Sequence, residues 1–139
     1  MEVSFKDYKK IFDEEKYLIR DGIILPESNA DSSIPDYQCD INFKKERDLF
    51  LSDFKEFEIC CEWLSKFKKV KNQQIDSEYL KYAICALQPV YVTNGAVIAA
   101  AIYLNLSRSN LPDEKGSIKI GISLRCPVLK QAKRFATLF

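Results

Sequence analysis

The 139-residue chain is 47% apolar, 12% aromatic and 29% charged, the composition of one globular domain and not of a disordered segment. Its 21 basic and 20 acidic residues leave a net charge of +1, so whole-chain charge selects no nucleic-acid or membrane partner. Histidine is absent, which excludes the usual neutral-pH general base, the common catalytic triads and most zinc sites.

The first predicted element is an amphipathic helix over Ser4 to Arg20. Ser4 caps it with Asp7 in the first turn, and Phe5, Tyr8, Phe12, Leu18 and Ile19 fall near one face. Asp21-Gly22 ends it. A short strand, Ile23-Ile24-Leu25, leads into a polar stretch from Pro26 to Pro35, and residues 22–40 are expected to be a loop-rich connection.

Asn42 to Lys71 has the clearest helical period, through Phe43, Phe50, Phe54, Phe57, Cys61, Leu64 and Phe67. Ser52-Asp53 can cap a fresh start, so the stretch is one long helix or two. Lys66, Lys68, Lys69 and Lys71 would complement the negative end of its dipole. Asp76-Ser77 caps a shorter helix through Leu87, with Leu80, Ala83, Ile84 and Leu87 inward, and Pro89 stops it.

Thr93 caps the next helix, from about Asn94 to Leu104. The run Ala96-Val97-Ile98-Ala99-Ala100-Ala101-Ile102 is apolar on every face, so this helix must be central. After a polar loop from Ser107 to Gly116 the period changes to two. Ile118, Ile120, Ile122 and Leu124 alternate with Lys119, Gly121, Ser123 and Arg125, a strand with one wet face. It needs a partner, either Ile23–Leu25 or another chain, and its exposed edge offers dimerisation or strand addition. Pro127 opens a last amphipathic helix with Val128, Leu129, Ala132 and Phe135 inward.

Charge is uneven along the chain. Residues 1–60 hold 9 basic and 15 acidic residues, and residues 61–139 hold 12 and 5. That asymmetry implies an acidic partner for the second half, or docking of one half on the other. Two basic clusters are candidate contacts for a partner or for nucleic acid: Lys66, Lys68, Lys69 and Lys71, then Lys119, Arg125, Lys130, Lys133 and Arg134. The plain alternative is solvated surface. Asp13, Glu14, Glu46, Asp53 and Glu56 form a candidate acidic interaction face, read as exposed surface and not as catalytic pairs.

Other motifs carry less. A helix-turn-helix over Ser77 to Leu104 fails because its second helix cannot be both central and inserted in a groove. Cys60-Cys61 reads as core, because reactivity would need a nearby cation or helix N-terminus. The helix start at Thr93-Asn94-Gly95 could hold an anion, but close packing of another element on Gly95 is the preferred account. The four glycines make no phosphate loop. Five cysteines without a C-x-x-C pair point to a reducing cytoplasm. The charged N-terminus and the short apolar run from Ala96 to Leu104 suggest neither a signal peptide nor a membrane span.

The block Tyr91-Val92-Thr93-Asn94-Gly95-Ala96-Val97-Ile98-Ala99-Ala100-Ala101 resembles one in short bacterial proteins carried by phages, plasmids and other mobile elements. Cys61-Glu62-Trp63-Leu64, Phe67-Lys68-Lys69-Val70-Lys71 and Ser77-Glu78-Tyr79-Leu80-Lys81 are similar to the same group, over about residues 54–125. The group carries Gly-aromatic after the alanine helix where this chain has Asn105-Leu106. The resemblance implies a setting and no mechanism.

The expectation is thus a single α+β domain over 1–139, predominantly helical. Four or five helices surround a central alanine-rich helix, with a small β element near the C-terminus. No catalytic residue, metal or cofactor is expected. The leading functional reading is a non-catalytic interaction module of mobile-element origin. It would occlude a host or viral-defence protein complex, as an anti-CRISPR protein does. The alternative is a nucleic-acid-binding regulator using the basic clusters.

Overall fold

The computed structural model describes residues 2–24, 36–87, 90–109 and 111–122. In chain order the elements are α1 (Phe5–Glu14), β1 (Leu18–Ile19), β2 (Gly22–Ile23), α2 (Asp36–Leu51), α3 (Phe54–Leu64), β3 (Lys69–Asp76), α4 (Ser77–Leu87), α5 (Asn94–Tyr103) and β4 (Lys119–Ile122). The fold is α+β and predominantly helical, with two small antiparallel pairs, β1 with β2 and β3 with β4.

Helix α5 is the centre, as its composition requires. Asn94 through Ala101 are all buried, and α1, α3, α4 and β2 pack around it. Its small side chains let those neighbours come close. Thr93 caps the start, its Oγ1 accepting the Ala96 N–H at 3.2 Å. At the other end Asn105 adopts φ 54°, the left-handed conformation that asparagine tolerates better than most residues. The Leu106 N–H then reaches the Ala101 carbonyl and the Asn105 N–H the Ile102 carbonyl, while Leu106 is buried. This is a Schellman stop, and Asn105 does here what a glycine would do.

Helix α1 begins at the predicted place, with Ser4 and Asp7 exchanging hydrogen bonds in a capping box. It ends at Glu14 and not at Arg20. The Arg47 guanidinium, lying over the Phe12 ring, donates to the carbonyls of Phe12, Glu15 and Leu18 and so closes the helix end. Leu18 and Ile19 become a strand, and Arg20-Asp21 is the turn of a hairpin with Gly22-Ile23. Of the connection expected over 22–40, Gly22–Ile23 is a strand and α2 starts at Asp36, while Leu25 and the polar stretch from Pro26 to Pro35 lie outside the described residues.

The long periodic stretch is two helices, broken at Ser52-Asp53. Ser52 folds back onto the Leu49 carbonyl through both its N–H and its hydroxyl. Helix α3 stops at Leu64, so the lysines up to Lys71 do not form a helix end. Phe67 still tucks under Trp63, the ring centroids 4.6 Å apart, before the chain extends as β3.

Strand β3 answers the question of what pairs with β4. Asp76 lies opposite Lys119, Ile75 opposite Ile120 and Gln74 opposite Gly121, with an irregular stretch before Lys69 meets Ile122. On its other side β4 is met by the chain around Arg108. There the Ser109 N–H donates to the Lys119 carbonyl and the Gly121 N–H to the Ser107 carbonyl. Along Lys119–Gly121 both edges are covered within the chain, so among the described residues this strand has no open edge there for dimerisation or strand addition; Ser123 and Leu124 lie outside the described residues. Pairing with Ile23 also fails, since Ile23 joins Leu18. Among the described residues the wet face is limited to Lys119, because Gly121 is buried with the Val70 carbonyl against its Cα; Ser123 and Arg125 lie outside the described residues.

Asp76 and Ser77 start α4 as expected. Asp76 accepts the Glu78 N–H at 2.9 Å, and buried Ser77 exchanges hydrogen bonds with Ile118. Leu80, Ala83 and Ile84 face the core. The expected stop at Pro89 and the final helix from Pro127 lie outside the described residues.

Candidate functional site

A polar cleft of about 470 Å³ opens where the β1–β2 hairpin meets α2, α3, α4 and the start of α5. The hairpin supplies Arg20, Asp21 and Ile24, and the helices α2 and α3 supply Glu46 and Glu56. Glu78 and Lys81 of α4, Lys115 of the following loop, and Tyr91, Thr93 and Asn94 complete its lining.

The hairpin is held on α5 by a close backbone approach. A Cβ at Gly95 would lie 2.1 Å from the Ile19 carbonyl oxygen, so only glycine fits. The Gly95 N–H donates to the Arg20 carbonyl at 2.8 Å. With the Ala96 N–H on Thr93 Oγ1 and the Val97 N–H on the Thr93 carbonyl, three N–H groups of the first turn are already taken up. The helix start is therefore a packing site, as preferred from the sequence, and not an anion site.

Arg20 reaches across from the turn to the break between α2 and α3. Its Nε and Nη2 donate to the two carboxylate oxygens of Asp53 at 2.6 and 2.7 Å, a bidentate pair. Asp53 occupies the N-cap position of α3 but makes no side-chain cap; its carboxylate serves Arg20 instead. Asp53 is 6% exposed, and the Arg20 side chain 37%. The hydrogen bond to Asp53, above all, holds the Arg20 guanidinium more firmly protonated than usual.

One turn later Glu56 is half-buried beside this pair. Burial, then repulsion from Asp53, pushes its carboxyl up to about 7, helped by the hydrogen bond its protonated form donates to Asp53. Its Oε1 is buried with no donor. The reading of Asp53 and Glu56 as exposed surface is thus overturned. Their helix face looks solvated in sequence, but the hairpin folds over it.

Asn94, 5% exposed, is the floor. Its Nδ2 donates to the Asp21 carbonyl at 3.0 Å and to Ser117 Oγ at 3.1 Å. A carbonyl can only accept, so this bond fixes which end of the amide is nitrogen. Asn94 Oδ1 is consequently a buried acceptor without a partner.

The five carboxylates predicted as one acidic face do not form one. Glu46, Asp53 and Glu56 gather at the cleft. Asp13 and Glu14 stand on the outer side of α1 among Lys6, Lys9 and Lys10, with Asp13 paired to Lys9 at 3.1 Å. The basic clusters separate too. Lys66, Lys68, Lys69 and Lys71 are all exposed around the turn from α3 into β3. Lys119 pairs with Asp76 across the strands at 3.6 Å, and Arg125, Lys130, Lys133 and Arg134 lie outside the described residues.

In the sequence Arg20 reads only as the end of the first helix, and Asn94 only as part of a helix start. The one local signal was an arginine in a tight Arg20-Asp21-Gly22 turn, where a long charged side chain has no helical neighbour to pair with. Cys60 and Cys61 are core residues as expected, and burial drives both thiols up, Cys61 to about 12. Among the described residues no group of His, Cys, Asp or Glu could hold a metal ion, and no helix is long and apolar enough to cross a membrane.

A second, shallower recess adjoins the cleft through Glu78 and Lys115. It adds Tyr79 and Tyr82 of α4 with Asp76, Asp113 and Glu114. Tyr82 is 55% exposed with Lys81 over its ring, and Tyr91 at the cleft rim is 72% exposed.

No family model, curated protein or solved structure matches this chain.

Proposed function

We propose that the protein is a non-catalytic interaction module that covers a basic surface of a larger protein. Its contact face is the tyrosine- and carboxylate-rich side formed by α4, the cleft and the loop around Asp113. The observation carrying this is the exposure of Tyr82 and Tyr91 among Glu78, Asp113 and Glu114. Tyrosine gives a large contact area for little lost side-chain freedom, and acids around it select a cationic partner.

Chemistry supports the non-catalytic part. The chain has no histidine, the Cys60 and Cys61 thiols are buried and hard to ionise, and both Asp53 oxygens are engaged by Arg20. Among the described residues Glu56 is the carboxyl pushed up toward neutral pH, and the thiol that feels its charge, Cys60, is buried and hard to ionise. The resemblance to mobile-element proteins suggests a setting for such a module: an inhibitor that occludes a host-defence complex, anti-CRISPR-like.

The test is an affinity pull-down from bacterial lysate, with and without nuclease, comparing the wild type with a Tyr82→Ser, Tyr91→Ser double variant. A defined complex that survives nuclease and is lost in the double variant supports the reading. Retention unchanged by the two substitutions removes this face from it.

The second reading, a nucleic-acid-binding regulator, is favoured by one feature. Lys66, Lys68, Lys69 and Lys71 are exposed together, and none is in an ion pair among the described residues. Charge reversal at Lys66, Lys68, Lys69 and Lys71 abolishes salt-sensitive binding under this reading and leaves protein capture intact under the first.

A further inference from the structure

We infer that the cleft between the β1–β2 hairpin and the start of α5 is a slot for one arginine side chain of the partner protein, with Asn94 Oδ1 as its buried acceptor. This rests on the interaction reading above and names the group that the face selects.

The charge balance comes first. Arg20 is neutralised by Asp53, and Lys81 sits 3.7 Å from Glu78. Asp21 and Glu46, joined by Glu56 only when its carboxyl is ionised, are then left facing one lysine, Lys115. A cation entering here meets a surplus of carboxylate, and an anion would be repelled.

The second observation is independent of charge. A buried amide oxygen without a donor costs roughly 1–3 kcal/mol, so Asn94 Oδ1, which is closed to solvent, gains from a ligand whose N–H reaches it once the side chains over it shift. The positive end of the α5 dipole does not oppose this strongly, because Arg20 and Thr93 oxygens already take up the first-turn N–H groups of Gly95, Ala96 and Val97. Glu56 Oε1 is a second buried acceptor in the same cleft whenever that carboxyl is ionised.

Geometry chooses guanidinium over other cations. The cleft offers acceptors on floor and wall and an exposed aromatic ring, Tyr91, at its rim. A guanidinium has five donors in a plane and stacks on aromatic faces, whereas an ammonium is a compact and more strongly hydrated charge. A bare metal ion does not suit, since no metal-holding group of side chains exists among the described residues.

The experiment is a ¹⁵N NMR titration of the full chain with Nα-acetyl-arginine amide, run beside the acetyl-lysine and acetyl-citrulline amides. Saturable shifts of the Asn94 side-chain amide by the arginine compound, with an affinity of about a millimolar, are expected for one side chain in one slot. Asn94→Ala should abolish them, and Glu46→Gln should weaken binding at least about fivefold. Glu46 is only half-buried, so its variant keeps the test valid if Asn94→Ala fails to fold. Equal shifts by citrulline, equal binding of lysine, no saturation, or full binding by Glu46→Gln would each overturn the slot. Pull-down with Glu46→Gln separates the two proposals: a nuclease-resistant complex retained while arginine fails to bind sinks the slot alone. Arginine binding with no protein ever retained sinks the proposed function, and with it the partner as source of the guanidinium.

Discussion

The Arg20 guanidinium donates two parallel hydrogen bonds to the Asp53 carboxylate, at 2.6 and 2.7 Å, across thirty-three positions of sequence. The pair joins a hairpin turn to the break between two helices and fixes Arg20 in the lining of the polar cleft. Asp53 gives up its local role as a cap to make it, so a long-range ion pair has replaced a short-range hydrogen bond.

Asp53→Ala should therefore destabilise the fold by about 2 kcal/mol, less than a fully buried pair would lose because Arg20 is partly in water. Urea unfolding would measure the loss. The same substitution removes a negative neighbour and a hydrogen-bond acceptor from Glu56. Its carboxyl should then titrate at lower pH in a ¹³C NMR experiment, and an unchanged titration would show that Asp53 does not hold it up.

Glu56 predicts a pH dependence of stability. Its carboxyl titrates near 7 in the folded chain against an ordinary value of 4.5, so the folded state holds the proton more tightly. The stabilisation is complete below the unfolded value and is lost as pH rises through about 7. Urea midpoints should fall between about pH 5 and about pH 8, and Glu56→Gln should flatten that part of the profile. A wild-type profile that rises over the same interval would contradict the assignment.

Gly95→Ala tests the hairpin's seat on α5. Alanine favours a helix over glycine by about 1 kcal/mol, but its Cβ would meet the Ile19 carbonyl oxygen at 2.1 Å. A backbone atom cannot rotate aside, so the clash should dominate and cost about 3 kcal/mol before the propensity gain. A lowered Tm is expected, together with altered NMR shifts at Arg20 and Asp21. A raised Tm would mean the hairpin does not rest there.

Cys60 and Cys61 should resist iodoacetamide in the native protein and react once it is denatured. Burial keeps both thiols from ionising. Peptide mapping by mass spectrometry reads each position separately, and rapid native labelling of either would place it at a surface.

The elements legible in the sequence are those whose signals lie within a few residues. Ser4 with Asp7, Asp76 with Ser77, and Thr93 each cap their helices where the side-chain pattern puts them. The unbroken apolar run from Ala96 to Ile102 dictated a central helix, and the alternation around Ile120 dictated a strand. Where the end of an element depends on a distant group, the sequence was silent. Helix α1 stops where Arg47 arrives from α2 to take the Phe12 and Glu15 carbonyls at its end and the Leu18 carbonyl beyond it. Lys69 to Asp76 is a strand because β4 needs hydrogen-bond partners that lie more than forty residues away.

The candidate site follows the same division. Glu46, Asp53 and Glu56 were visible as acids on amphipathic helices, and local periodicity assigned them to solvent. Burial depends on what else covers a face, and here the cover is a hairpin whose position is set by Gly95 and the Ile19 carbonyl. By itself the sequence determined the class of fold, the central helix and the absence of histidine, because composition, capping and periodicity are local. The tertiary structure alone decided which carboxylates leave water, which cation each one meets, and that Asn94 keeps a buried oxygen without a donor. Those outcomes rest on contacts between residues that the chain brings together only when it is folded.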